Sequence, residues 1–438
     1  MTPVSRWSAE QVLALAPDSA SVAAGRKLAA ARDWPSQGCD ERAVWGLAKG
    51  SGKDPYQVVV DLGAPAYKCS CPSRKIPCKH ILGLLLLWSA GDVQPAAAPA
   101  FAEEWLAARA EKAVERNAER ASREADPEAR AKRQAQREDR ISAGVEELDR
   151  WLRDLVRQGL AAAQSRPMRF WDEAAARLVD AQAPGLGGRV RALGSTAHSG
   201  RADWPARLLA QVGRLHLAVR AWPRAAALPD DLRESLRDVL GWSLQSDEVR
   251  QNGEQVSDAW IVLGVRVIEQ DHLWVRRAWL RGERSERPAL IVQFKPRGGS
   301  FEGDYVVGSM LDGELAFFPT AVALRALPMS ALERRGEGRF PCGDGFATAL
   351  EGWSRALGAD PWLERWPVTL RAATPVEHGG RWWLRDHAGA LAPLAGADPW
   401  RLIALAGGAP LAISAEWDGR ALAPLAAFTD DQRVVALA

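Results

Sequence analysis

Apolar residues recur along this chain with two different periods, and the change between them divides it. Ser8-Ala9-Glu10-Gln11 ahead of Val12, Leu13 and Leu15 has the character of a capping box opening a helix. Ala16-Pro17-Asp18-Ser19 ends that helix and starts another, through Val22 to Ala31. The run Ile81-Leu82-Gly83-Leu84-Leu85-Leu86-Leu87-Trp88 predicts a buried helix. Ile141, Val145, Leu148, Leu152 and Leu155 repeat in a 4-3-4-3 seam, which suits a partner helix or docking on the chain's own domain; the second is the expectation. Helical stripes continue at Phe170, Trp171, Ala174, Leu178 and Val179, at Leu208, Leu209, Val212, Leu215, Leu217 and Val219, and at Leu232, Leu236, Val239 and Leu240.

From about Trp260 the pattern alternates. Strands are predicted at 260–268, 273–280 and 289–294, then at 368–372, 381–385, 412–417 and 421–428, with a helix over 347–357. Leu311-Asp312-Gly313-Glu314 and Asp418-Gly419 read as hairpin turns. Ala390-Leu391-Ala392-Pro393-Leu394-Ala395 repeats at Ala421–Ala426, suggesting two copies of a strand–turn–strand unit.

Punctuation sets the expected boundaries. Val93-Gln94-Pro95-Ala96-Ala97-Ala98-Pro99 has linker composition. A charged helical arm follows, with Glu119–Arg123 and Glu128–Lys132 at i, i+4 and Asp126-Pro127 as a cap and first position. The division is then 1–92, a linker at 93–100, the arm at 101–163, a helical domain at 164–254 and a mainly-β domain at 255–438.

The chemistry concentrates in Cys69-Ser70-Cys71-Pro72-Ser73-Arg74-Lys75-Ile76-Pro77-Cys78-Lys79-His80. Three thiolates and an imidazole are the donor set of one tetrahedral zinc ion, so Cys69, Cys71, Cys78 and His80 are the predicted ligands of Zn2+. Residues two apart on a strand share a face, so Cys69 and Cys71 make one jaw. Pro72 turns the chain, and Cys78 and His80 return at a helix start whose positive end favours thiolate. Lys68, Arg74, Lys75 and Lys79 act in the same direction. With all four positions filled by protein, the site reads as structural. A disulfide would need an oxidising compartment, for which no signal peptide speaks. Cys39 and Cys342 lack neighbouring ligand types and read as plain thiols; His198 and His216 read as core or surface residues.

This C-x-C…C-x-H arrangement resembles the SWIM zinc finger, a small β-β-α unit, and Trp45-Gly46…Gly50-Ser51-Gly52-Lys53…Pro55-Tyr56…Val60-Asp61-Leu62 resembles the bacterial members in particular. The resemblance covers about 43–88 and implies strands at 42–47 and 56–62 joined by a turn. The fold class expected is therefore α+β multidomain: a β-β-α zinc finger near the N-terminus, a helical middle and a mainly-β C-terminal region. Members of the wider family include transposases, chromatin-remodelling ATPases, recombination factors and ubiquitin-ligase-like proteins, whose fingers bind DNA or protein. Bacterial relatives often lie beside genes for MoxR-type ATPases and von Willebrand A-domain proteins, which implies a partner of that kind.

Composition narrows the classes. At 438 residues the chain suggests about three domains. A net charge of +2 provides no global pull toward polyanions, so any nucleic-acid contact has to be local. No apolar run approaches the ~18 residues of a membrane span, and the start lacks an apolar signal core, so the expected location is the cytoplasm with no membrane partner. Gly50-Ser51-Gly52-Lys53 fails as a phosphate loop: Leu47 stands where glycine is needed and Asp54 where a hydroxyl is needed. Gly298-Gly299-Ser300 has no strand–helix context for phosphate, and Asp230-Asp231 and Asp430-Asp431 read as caps or solvent-facing charges. No catalytic motif is found, and the chain reads as not an enzyme.

Two functions compete. The first is a protein-interaction adaptor or scaffold built on a structural finger. The alternative is DNA or RNA binding through Lys68, Arg74, Lys75 and Lys79, with Lys49 and Lys53 on the nearby hairpin. Tyr67 and Trp45 read as packing residues rather than stacking platforms.

Overall fold

A computed structural model describes the chain apart from residues 1–8, 17–18, 51–53, 63–65, 74, 112–126, 271–272, 297–300, 341–342, 344, 396–398, 429–433 and 438. The predicted cap Asp126, the Glu119–Arg123 pair, Lys53, Arg74, Cys342, Gly298-Gly299-Ser300 and Asp430-Asp431 fall outside the described residues. Two compact units emerge: 1–130 with 268–275 and 293–302, and 131–267 with 276–292 and 303–438. The α+β class holds, with a finger near the N-terminus, a helical middle and a strand-rich C-terminus.

The first unit is built on an antiparallel sheet of four strands in sequential order, β1 (Ser36–Cys39), β2 (Ala43–Ala48), β3 (Tyr56–Asp61) and β4 (Ala66–Cys69). The middle two were expected; β1 and β4 are short and lack a run of β-formers. Both faces of β3 are covered, which suits its Val58-Val59-Val60 run better than alternation would. Val58 and Val60 join one cluster with Val44 and the helix α3 (Lys79–Ala90). Val59 joins Trp45 and Ala43 on the other face, under the helix α4 (100–111) through Ala102 and Leu106.

Helix α3 is buried from His80 to Trp88. It can be apolar all round because the sheet covers one side and two short helices, α1 (Ala9–Ala14) and α2 (Ser19–Lys27), pack on another. Gly83 allows that approach: a Cβ there would meet Leu28 Cβ at 2.8 Å. The helix ends at Gly91, whose left-handed φ of 88° closes a double turn with Gly91 N–H on Trp88 and Asp92 N–H on Leu87. Residues 93–96 then run back along β1, Ala96 N–H donating to Cys39 O and Cys39 N–H to Gln94 O.

In the second unit, α5 (Pro127–Arg157), α6 (Met168–Asp180), α7 (Pro184–Ala197), α8 (Trp204–Ala221) and α9 (Asp230–Leu240) form a bundle. Ile141, Val145, Leu148, Leu152 and Leu155 are all buried in it, so the seam is used within the chain. After α10 (Ser246–Asn252) come β5 (Glu254–Gln270), β6 (Leu273–Gly282), β7 (Pro288–Pro296), β8 (Ser309–Phe317), β9 (Ala326–Pro328) and β10 (Glu333–Glu337), then β11 (Trp366–His378), β12 (Arg381–Arg385), β13 (Leu391–Pro393), β14 (Leu411–Trp417), β15 (Leu422–Phe428) and β16 (Val434–Ala436). They form two six-stranded sheets, ordered β10-β8-β5-β6-β7 with β9 on β8, and β13-β12-β11-β14-β15-β16. The repeated Ala-Leu-Ala-Pro-Leu-Ala motif supplies β13 and β15, each the second strand of a hairpin in one sheet, and their ends meet at a Leu394–Leu422 bridge.

Asp418-Gly419 is a turn, with Asp418 Oδ1 accepting from Arg420 and Ala421 N–H. Asp312-Gly313 is not; β8 runs straight through it, correcting the expected hairpin. Asp312 and Gly313 pair with Ala259 and Asp258 of β5, and the indole of Trp260 donates to Gly313 O at 3.0 Å. Leu311, Leu315 and Phe317 on the same face enter one core, and that burial outweighs the local turn preference.

The two sheets share a buried carboxylate. Glu416 on β14, 3% exposed, accepts from Trp279 Nε1 at 3.0 Å and Arg365 Nη1 at 2.8 Å, with Arg277 Nη2 at 3.5 Å.

Candidate metal centre

Each ligand comes from the end of an element. Cys69 closes β4, paired with Val58 of β3, so its side chain lies on the face that meets α3. Cys71 follows two residues beyond the strand end. Cys78 is the N-cap of α3, and His80 lies in its first turn, 3% exposed. The three Sγ atoms and a ring nitrogen of His80 all lie within 4.8 Å of one another. His80 Nδ1 stands 3.8 Å from Cys69 Sγ and 3.9 Å from Cys78 Sγ. A tetrahedral zinc with Zn–S near 2.3 Å and Zn–N near 2.0–2.1 Å places S and N about 3.6 Å apart. The donor set and spacing therefore fit a Zn2+ ion held by Cys69, Cys71, Cys78 and His80. With four protein donors the shell is complete, as in structural sites.

The thiols are primed for the metal. A hydrogen bond from Cys69 holds the Cys78 thiol down at about 4 against the burial that would raise it, helped by His80 and the Ile81 N–H. Cys69 is driven upward, first by its hydrogen bond to Cys78 and then by burial. Zinc takes its cysteine ligands as thiolates, so binding displaces the thiol protons that remain. Cys39 takes no part: its thiol is buried and faces Val93 O at 3.6 Å.

Beside the centre opens a hollow of about 600 Å3. Lys75 and Lys79 line it together with Lys49, and Tyr56, Cys71 and His80 form the metal side. Of the basic residues singled out, Lys75 and Lys79 are therefore brought together. Lys68 is not, because it alternates with Cys69 on β4 and pairs with Val59, whose side chain joins the opposite face. Arg74 lies outside the described residues. Trp45 is buried and Tyr67 half-buried, its phenol pushed up to about 12 by burial, so both pack rather than stack.

Sequence reasoning passed over Tyr56, whose ring lies 5.0 Å from that of His80, and Ser21 and Ala24 of α2. The alternation Tyr56, Val58, Val60 does point Tyr56 to the metal face; nothing local points to α2.

Residues 56–88 match the family model of the SWIM zinc finger, and residues 136–240 that of the SWIM-associated four-helix bundle domain. The chain thus carries a SWIM zinc finger, and the SWIM-associated bundle domain lies in α5–α9. No curated protein and no solved structure matches it. Among the described residues no helix is long and apolar enough to cross a membrane.

Proposed function

We propose that this protein is a zinc-structured adaptor whose finger grips the phosphate backbone of nucleic acid. The observation that carries the reading is the hollow: Lys49, Lys75 and Lys79 converge on it, and among the described residues no acidic side chain lines it. They come from three separate places, the end of β2, the zinc loop and the first turn of α3, and the metal fixes the last two relative to each other. Phosphate oxygens suit such a cradle, since lysine is a point charge that needs no planar partner.

The test is fluorescence anisotropy of the zinc-loaded protein with single- and double-stranded DNA and RNA at several salt concentrations. Three phosphate contacts give a slope of log K against log salt of about −2.7 for duplex and about −2.1 for single strands. Lys75→Glu and Lys79→Glu each weaken binding and flatten the duplex slope by about 0.9 or more. No binding at low salt, or variants that bind like the parent, refutes the reading.

A second reading, a protein adaptor, is favoured by one observation, an exposed apolar face on α8. A MoxR-type ATPase with a von Willebrand A-domain protein stays a candidate partner on the family resemblance alone, and the cytoplasm the proposed location.

A further inference from the structure

Helix α8 buries Leu208, Val212, Leu215, Ala218 and Val219 in the bundle, and the opposite face carries two more leucines that the bundle does not need. Leu209 is 58% exposed and Leu217 43% exposed. With Gly213 between them they stand at i, i+4 and i+8, one above the other on the solvent side. A glycine inside a helix costs about 1 kcal/mol relative to alanine. At Gly194 of α7 the missing side chain serves packing, since a Cβ there would meet the Trp171 ring at 2.6 Å. At Gly213 nothing lies within 4 Å of that position, so the notch is open to an outside surface.

The charge on this helix has one sign. Arg207, Arg214 and Arg220 lie on α8 and Arg224 just beyond it, with no Asp or Glu between Trp204 and Ala227. Arg207 is held by Asp203 at 2.7 Å. Arg214, Arg220 and Arg224 have no ion-pair or hydrogen-bond partner among the described side chains. By helical position Arg220 shares the face of Gly213, and Arg214 borders it.

We propose that this face of α8 docks an acidic amphipathic helix of a partner protein. An apolar seam on that helix covers Leu209 and Leu217, its backbone approaches over Gly213, and its carboxylates meet Arg214, Arg220 and Arg224. The seam and the notch suit a helix laid along a groove, read through anchors at helical spacing. Unpaired arginines of one sign disfavour a second copy of the same face and select an acidic partner. An anionic lipid surface also attracts arginine, but the helices that bind one bring a broad apolar face with Trp or Phe anchors. Here two leucines stand among Ala206, Ala210 and Gly213, and Trp204 is half-buried. The inference concerns the bundle alone and does not depend on nucleic-acid binding at the finger.

The test uses the full-length protein and a fluorescent helical peptide of about 18 residues, with leucines at i, i+3, i+4 and i+7 and glutamates flanking them. Two controls accompany it: the same peptide with lysine for glutamate, and with serine for leucine. The acidic leucine peptide is expected to bind, with both controls at least about tenfold weaker. Leu209→Glu and Leu217→Glu are each expected to weaken binding at least about tenfold, and Arg220→Glu about fivefold. Both leucines are exposed, so the variants keep the parent's thermal melt and nucleic-acid titration. Equal binding of the lysine peptide, or unchanged binding by Leu209→Glu, overturns the proposal. So does a self-association seen in sedimentation that Leu209→Glu abolishes, or co-sedimentation with phosphatidylserine vesicles that it abolishes.

Discussion

Glu416 offers the sharpest test of how the two C-terminal sheets are held. Its carboxylate is 3% exposed and lies among Arg365, Arg277 and the Trp279 indole. Glu416→Gln keeps the shape and removes the charge. Arg277, whose side chain is 11% exposed, is then left as a buried cation without its counter-charge. Removing one partner of a buried pair costs about 3–5 kcal/mol. Arg365 is 34% exposed and can rehydrate, which argues for the lower end, about 3 kcal/mol. At roughly 2–4 °C per kcal/mol for a domain of 150–250 residues, the melting transition of this unit should fall by about 6–12 °C. Differential scanning calorimetry at neutral pH reads that shift. The effect has a pH signature. Burial raises the Glu416 pKa, but Arg365, Arg277 and the Trp279 N–H outweigh it and the folded value lies below the ordinary one. The charge therefore stabilises the fold above the unfolded glutamate pKa, about 4.3. That contribution is lost as pH falls through the depressed folded value. Parent and variant should converge in acid. A difference under about 1 kcal/mol at neutral pH would refute the reasoning, because it would mean the cluster is already solvated.

Cys78→Ser should abolish the one-to-one zinc content measured by atomic absorption, while Cys39→Ser, away from the site, retains it. Although the motif by itself suggests that zinc loss unfolds 43–88, the shared core of α1, α2, α3 and the sheet predicts otherwise: hydrogen exchange should rise first in 70–78, with β2 and β3 still protected. Gly313→Ala should destabilise by about 1–3 kcal/mol in chemical denaturation, since the residue sits at φ 153° and a Cβ would meet Leu332 Cδ2 at 2.5 Å. Asp386→Ala should cost about 1–3 kcal/mol, because its carboxylate accepts from Phe346 N–H at 2.8 Å, Ala388 at 3.0 Å and Ala390 at 2.8 Å. Burial raises the Asp386 pKa, yet these bonds hold it below the ordinary value, so the cost should be full above about pH 3.9 and fade as the pH drops through the folded pKa.

Features that depend on near neighbours are readable from the chain alone. Cys69, Cys71, Cys78 and His80 lie within twelve residues, so strand alternation and one helix start suffice to aim them at a common point. The helices of the bundle and most C-terminal strands were legible because their apolar periods run long enough to outvote single residues. Tertiary structure decided the rest. Asp312-Gly313 has the chemistry of a turn but lies inside a strand, because β5 and the core on its far side bind both flanks. The seam from Ile141 to Leu155 could have met another chain; the bundle closes over it instead. Lys49, Lys75 and Lys79 share a hollow only because the sheet, the metal loop and α3 meet there, while Lys68, next to a zinc ligand, faces away through a single step of alternation. Burial and convergence are properties of distant residues brought together. A linear pattern names the groups that can meet; the packing energy of the whole unit selects those that do.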